Sequence, residues 1–116
     1  GFAAGELKHG PIALLEKGLP VFVVVPPLAR RVLHDKVVNN IAEVRARGAR
    51  TIVLAEADDV EVREYADDLV VLPSVPTLLQ PLVATVPLQV FSCEMAAARG
   101  HDVDQPRNLA KSVTVE

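Results

Sequence analysis

A disulfide or a CxxC metal site needs two thiols, and this chain has one, Cys93. Neither framework is available, and a single thiol in an apolar stretch fits a reducing, cytoplasmic compartment. Tryptophan is absent and aromatic residues make up 3% of the chain, so its 50% apolar content is chiefly Val, Leu and Ala. Such aliphatic stock suits buried parallel strands under covering helices better than an aromatic-lined binding face. Basic excess is lacking too. A formal net charge of −3 gives no electrostatic reason to approach nucleic acid or an anionic membrane, and neither is expected as a partner. There is no glycine-rich phosphate loop. The opening "GFAAGELKHGP" has neither the basic region nor the long apolar region of a signal peptide. Gly1 stands where an initiator methionine would, which reads as a chain cut from something longer.

The 116 residues suit one domain with a real core. From Leu69 to Cys93 there are 25 residues without a charge, long enough by length alone to span a bilayer. Pro73, Pro76, Pro81 and Pro87 and two glutamines interrupt that stretch. It is therefore expected to be a strand, a turn and a buried helix.

"LPVFVVVP", Leu19 to Pro26, is a short β-branched run bounded by prolines and predicts a strand buried on both faces. Leu33, Val37, Ile41 and Val44 recur at intervals of four, four and three, which predicts a helix of about five turns that Gly48 caps. "RTIVLAE" (Arg50 to Glu56) predicts a second strand. "DDVEVREYA" (Asp58 to Ala66) predicts a short helix whose early acids suit the helix dipole. "DLVVLP" predicts a third strand. A long apolar helix is then expected from Thr77 to Arg99, loosened at Pro87 and ended by Gly100. The order β-α-β-α-β-α implies an α/β fold, a three-layer sandwich in which helices cover both faces of a small parallel sheet. So small a sheet leaves edges uncovered, which calls for a homo-oligomer or a companion segment.

Few residues invite chemistry. "GELKHGP" sets Glu6, Lys8 and His9 before a Gly-Pro turn, and a histidine beside a carboxylate can serve as acid or base near neutral pH. A surface histidine at a helix end is the plainer account. Lys111 stands in "NLAKSVTV", and a partly desolvated lysine has the lowered pKa of an amine nucleophile; an exposed terminal lysine is again plainer. His34 and His101 lie far apart and lack further ligands at zinc spacing, so no metal is expected. Asp58-Asp59 after a parallel strand matches the acidic pair of a phosphoacceptor receiver. A receiver also needs a hydroxyl residue ending the next strand and a lysine ending the one after, and here "DLVVLP" ends in Leu-Pro. Helix-capping acids are the simpler reading.

"GELKHGP", "EVRARG", "VPLQ" and above all "DVDQPRNLAKSVTVE" resemble, in order, the carboxyl-terminal end of the glutamine–fructose-6-phosphate aminotransferases (glucosamine-6-phosphate synthases). The likeness covers essentially all of this chain but only about the last fifth of the family's. It corresponds to the second sugar isomerase (SIS) domain, a flavodoxin-like fold, here truncated at its N-terminus. The implied layout is a partial SIS domain over residues 1–100 and an active-site tail over residues 101–116.

The family transfers glutamine-derived ammonia to fructose 6-phosphate and isomerises the product to glucosamine 6-phosphate, without a cofactor. What the resemblance implies for single residues is specific. The histidine of "KHGP", His9, opens the sugar ring and acts across a homodimer on the neighbouring subunit's substrate. The lysine of "NLAKS", Lys111, forms a Schiff base with the sugar carbonyl, and Ala110 offers its backbone carbonyl to the sugar. The carboxylate base, the phosphate-holding loop, the glutaminase domain and the first SIS domain all fall outside this sequence. The chain alone is therefore expected to be inactive. Cys93, in "VFSCEMAAA", stands where family members more often carry a tyrosine-histidine pair and has no implied role. A non-catalytic SIS module that senses sugar phosphates is the alternative, and Lys111 argues against it. The tail is expected to be loose in the absence of the missing domains.

Overall fold

A computed structural model of the chain describes residues 1–105 and 107. The expected active-site tail, with Ala110 and Lys111 and the looseness foreseen for it, falls mostly outside the described residues. Three parallel strands, β1 (Pro20–Val24), β2 (Arg50–Glu56) and β3 (Asp68–Leu72), form one sheet in the order β1-β2-β3. Phe22 sits opposite Ile52 and Val53 opposite Leu69. Helices α1 (Ala4–Leu7), α2 (Arg31–Ala46) and α3 (Gln80–Ala98) accompany the strands, with 3₁₀ turns at Pro11–Leu14, Leu28–Arg30 and Val62–Tyr65. The α/β architecture foreseen from the sequence is thus present.

The parallel register sorts the side chains. Val23, Val53 and Leu69 share one face, and there Val25, Ile41, Val53, Ala55 and Val62 make the core with α2. Only β2 is deeply buried along most of its length. β1 was expected to be covered on both faces, yet it is an edge strand whose Val24 is 42% exposed. A three-stranded sheet has a single interior strand, so the continuous apolar run of β1 does not guarantee burial.

α2 ends as its sequence demands. Gly48 takes φ 85°, a conformation that a Cβ disfavours, and its N–H bonds the Arg45 carbonyl at 2.8 Å. The inward face of α2 differs from expectation in one residue. Ile41 and Val44 are buried, but His34 is fully buried in place of Leu33, which is 49% exposed. Position 34 lies seven residues before Ile41, about 20° from its direction at 3.6 residues per turn, whereas position 33 is about 80° away.

Two further expectations are corrected. The helix foreseen over Asp58 to Ala66 is a single 3₁₀ turn, because Asp59 folds inward and its Oδ1 accepts the Val62 N–H at 3.3 Å. α3 is unbroken across Pro87 and gives way at Gly100 (φ 75°), but it is not a buried helix. Ala84 is its one buried residue, while Leu82, Val86 and Val90 are each more than half exposed. By length and composition alone this helix is apolar enough to cross a membrane. The described residues form two compact units, Gly1–Ala84, which holds the sheet, and a second that begins at Thr85. The first turn of α3 lies within the former, where the Gln80 Nε2 donates to the Val25 carbonyl at 2.8 Å.

The start of β3 is held by Asp67. Its carboxylate accepts the Thr51 N–H at 2.8 Å and the Thr51 hydroxyl at 3.1 Å, with Arg45 3.7 Å away. The backbone hydrogen bond from Thr51, then its hydroxyl, lower the pKa of this carboxyl. A depressed carboxylate adds stability above its unfolded-state pKa and loses it as pH falls through the folded value. Asp67→Asn is therefore expected to be less stable than wild type at neutral pH. The gap should close in the window below about pH 4, the ordinary aspartate range. Urea unfolding of both proteins across that range measures it.

Candidate functional site

His9 follows α1, a helix too short to bury any residue. Its N–H bonds the Glu6 carbonyl at 3.1 Å, and Pro11, which lacks an N–H, opens the next 3₁₀ turn. The imidazole is exposed, and so are Glu6 and Lys8. Among the described residues no side-chain hydrogen bond joins His9 to Glu6; the backbone alone presents the ring outward. Ala110 and Lys111 lie outside the described residues, so of the three sequence-derived site residues the structure places only His9. Cys93 is exposed.

The carboxyl ends of the strands, where parallel sheets most often take ligands, are tied by β2. Glu56, buried at the strand's last position, accepts the Leu28 N–H at 3.3 Å from the loop after β1 and the Ser74 hydroxyl at 3.1 Å from the loop after β3. One carboxylate thereby ties the loops after β1 and β3 to the end of β2.

Three residues beyond Glu56 lies a buried pair that sequence reading did not find. His34 Nε2 and Asp59 Oδ2 are 2.7 Å apart, with His34 fully buried and Asp59 1% exposed. The other ring nitrogen faces Asp35 at 3.5 Å and Glu61 at 3.8 Å. A signal did exist: a histidine seven residues before a core isoleucine on one helix must find a polar partner inside. The partner's identity is a long-range fact.

Asp58 is exposed while Asp59 points inward with both oxygens engaged, so the two do not form the paired acidic site of a receiver. Asp59 accepts the N–H of Val62, the first residue of the 3₁₀ turn, while the turn's N-cap residue, Glu61, makes no side-chain cap bond. His34, Asp35 and Glu61 do converge closely enough to share a cation. Both outer carboxylates already carry the Arg31 guanidinium, at 2.9 Å from Asp35 and 2.7 Å from Glu61. The hydrogen bond to Glu61 is the main reason that the Arg31 pKa is raised. In this cluster one guanidinium bridges the two outer carboxylates. In the second unit, Asp102 accepts the Gln105 and Asp104 N–H groups at 3.0 and 2.9 Å, which hold its carboxyl below the usual range.

Comparison with known proteins gives this geometry its context. Over 117 aligned residues the whole chain is 75% identical to the glutamine–fructose-6-phosphate aminotransferase (isomerizing) of Streptomyces coelicolor. It is 69% identical to that of Corynebacterium diphtheriae and 65% to that of Mycobacterium tuberculosis. The chain spans only 19% of the length of each of these relatives. Among solved structures, the C-terminal domain of glucosamine-fructose-6-phosphate aminotransferase from Francisella tularensis superposes with a TM-score of 0.76. That match is 38% identical in sequence and covers 90% of this chain and 29% of that one. The resemblance carried by "GELKHGP" and "DVDQPRNLAKSVTVE" therefore holds along the whole sequence. The SIS domain model matches residues 1–99, which take in His9, the parallel sheet and α3, and the chain accordingly belongs to the SIS domain family.

Proposed function

We propose that this chain supplies the isomerase end of an enzyme that converts fructose 6-phosphate and glutamine to glucosamine 6-phosphate and glutamate. The 75% identity over the full chain to an aminotransferase named as isomerizing carries the reading. In this scheme His9 moves a proton from the anomeric hydroxyl to the ring oxygen and opens the furanose. The neutral amine of Lys111 then attacks the C2 ketone, and water leaves as the iminium forms. Ammonia released from glutamine adds to C2 of the iminium and expels the Lys111 amine. The sugar iminium so formed draws electron density from C1, so a base supplied by the rest of the enzyme can take a C1 proton and C2 is then protonated. Ala110 offers its carbonyl to the sugar.

The ring of His9, exposed and without a side-chain hydrogen bond among the described residues, supports service to a substrate held elsewhere, in a homodimer on the neighbouring subunit. A cytoplasmic setting, the missing glutaminase and first SIS domains as partners, and no cofactor complete the proposal. The isolated chain is expected to show no turnover.

His9→Ala in the full-length enzyme is expected to lower kcat on fructose 6-phosphate by about 10²–10⁴-fold, the usual worth of a general acid-base group. On 5-deoxyfructose 6-phosphate, which has no 5-hydroxyl to close the furanose, wild type and variant should match. Equal losses on both sugars would assign His9 to another step. A sensing SIS module without chemistry is the rival, and it predicts no effect of His9 or Lys111 on any amino-sugar rate.

A further inference from the structure

Beside His9 lies a groove of about 900 Å³ that the scheme above leaves unused. One wall is α1 with its approaches, where Ala3, Ala4 and Gly5 are too small to fill the space against α2. The other is the outer stripe of α2. Leu33, Lys36, Val37, Asn40 and Glu43 recur at helical spacing there, along the margin of the buried face, against which Val37 itself packs. Two ammonium groups, Lys8 from the first wall and Lys36 from the second, border the groove. Among the described residues neither is in an ion pair, although Arg31, Arg45 and Arg50 all are.

The polar groups follow an order along α2. Lys36 comes first, Asn40 one turn on, and Glu43 a further turn, about 10 Å from end to end at 1.5 Å per residue. Lysine ammoniums bind phosphate as point charges. A carboxamide and a carboxylate bind hydroxyl groups, and the carboxylate repels a second anion. Leu33 and Val37 give an apolar floor for the carbon skeleton. A volume in the ordinary range of small-molecule sites completes the pattern.

We propose that this groove is a second, non-catalytic site that binds a phosphorylated polyol, with the phosphate between Lys8 and Lys36 and the hydroxyl groups along Asn40 and Glu43. The choice of a sugar phosphate as its natural occupant rests on the proposed function; the charge pattern stands without it. Such a ligand would bridge α1 and α2 and fix the orientation of the turn that bears His9.

The test is titration of the 116-residue chain with glucose 6-phosphate, inorganic phosphate and glucose, followed by amide NMR shifts. Glucose 6-phosphate should move the amides of Lys8, Lys36 and Asn40 saturably. Inorganic phosphate should bind at least about tenfold more weakly and glucose not measurably. Lys36→Gln should weaken glucose 6-phosphate about tenfold, and Lys36→Arg should restore it. Equal binding of the two phosphates, shifts elsewhere only, or indifference to Lys36→Gln would overturn the proposal. Lys111→Arg is expected to leave this binding unchanged, so failure of the groove and failure of the catalytic scheme are read by different variants.

Discussion

Lys111→Arg in the full-length enzyme is expected to remove amino-sugar formation by at least about 10³-fold, in the range of losses seen when a covalent nucleophile is deleted. The substitution separates charge from chemistry. Arginine keeps a cation at the same place in "NLAKS", so it still attracts a phosphorylated sugar. Its guanidinium stays protonated at any pH a protein survives and has no free amine lone pair with which to attack a ketone. Borohydride added during turnover should reduce the iminium on the wild-type enzyme and leave the sugar covalently attached to Lys111, a mass increase that peptide mapping locates. The variant should show none. A variant that still makes glucosamine 6-phosphate at an undiminished rate would exclude the Schiff-base route and with it the central assignment of the tail.

Asp59→Ala should be the most damaging single change to the fold, costing about 3–5 kcal/mol, because it leaves a fully buried imidazole without the carboxylate 2.7 Å away. Asp59 also holds the Val62 N–H, and Val62 belongs to the core, so losing the carboxylate loosens the 3₁₀ turn as well. Against a typical domain stability of about 5–15 kcal/mol this loss brings the chain near unfolding. Replacement of the pair together, His34→Leu with Asp59→Leu, should be milder, since the imidazole leaves with its partner and only the Val62 N–H loses its acceptor. Urea midpoints of wild type, the two single variants and the double variant give the coupling directly. Additive losses would mean that the pair is no more than two independent buried residues.

The two kinds of residue tested here differ in how far the sequence announces them. His9 and Lys111 could be nominated from the sequence because the resemblance runs through short motifs whose residue order is preserved, and a motif needs no three-dimensional information. The strands were legible for a related reason. β2 is Arg50–Glu56 as its β-branched run suggests, and the glycines after α2 and α3 take the positive φ that ends a helix. Asp58 to Ala66 misled because acids at the head of a segment suit a helix dipole, while one of them, Asp59, has a stronger partner across the fold. The apolar run at 80–98 misled in the opposite direction, since hydrophobicity reports that a surface wants cover and not whether the chain supplies it.

Local composition and spacing by themselves determined the α/β class, the three strands and the C-terminal end of α2, since each depends on residues a few positions apart, while the candidates for chemistry came from the resemblance. Tertiary structure alone decided that His34 rather than Leu33 turns inward, that Asp59 meets it, that Glu56 ties two loops to β2 and that Lys8 and Lys36 face one groove. Those pairings span up to some thirty residues of sequence, and no periodicity encodes which distant side chain will complete a buried charge.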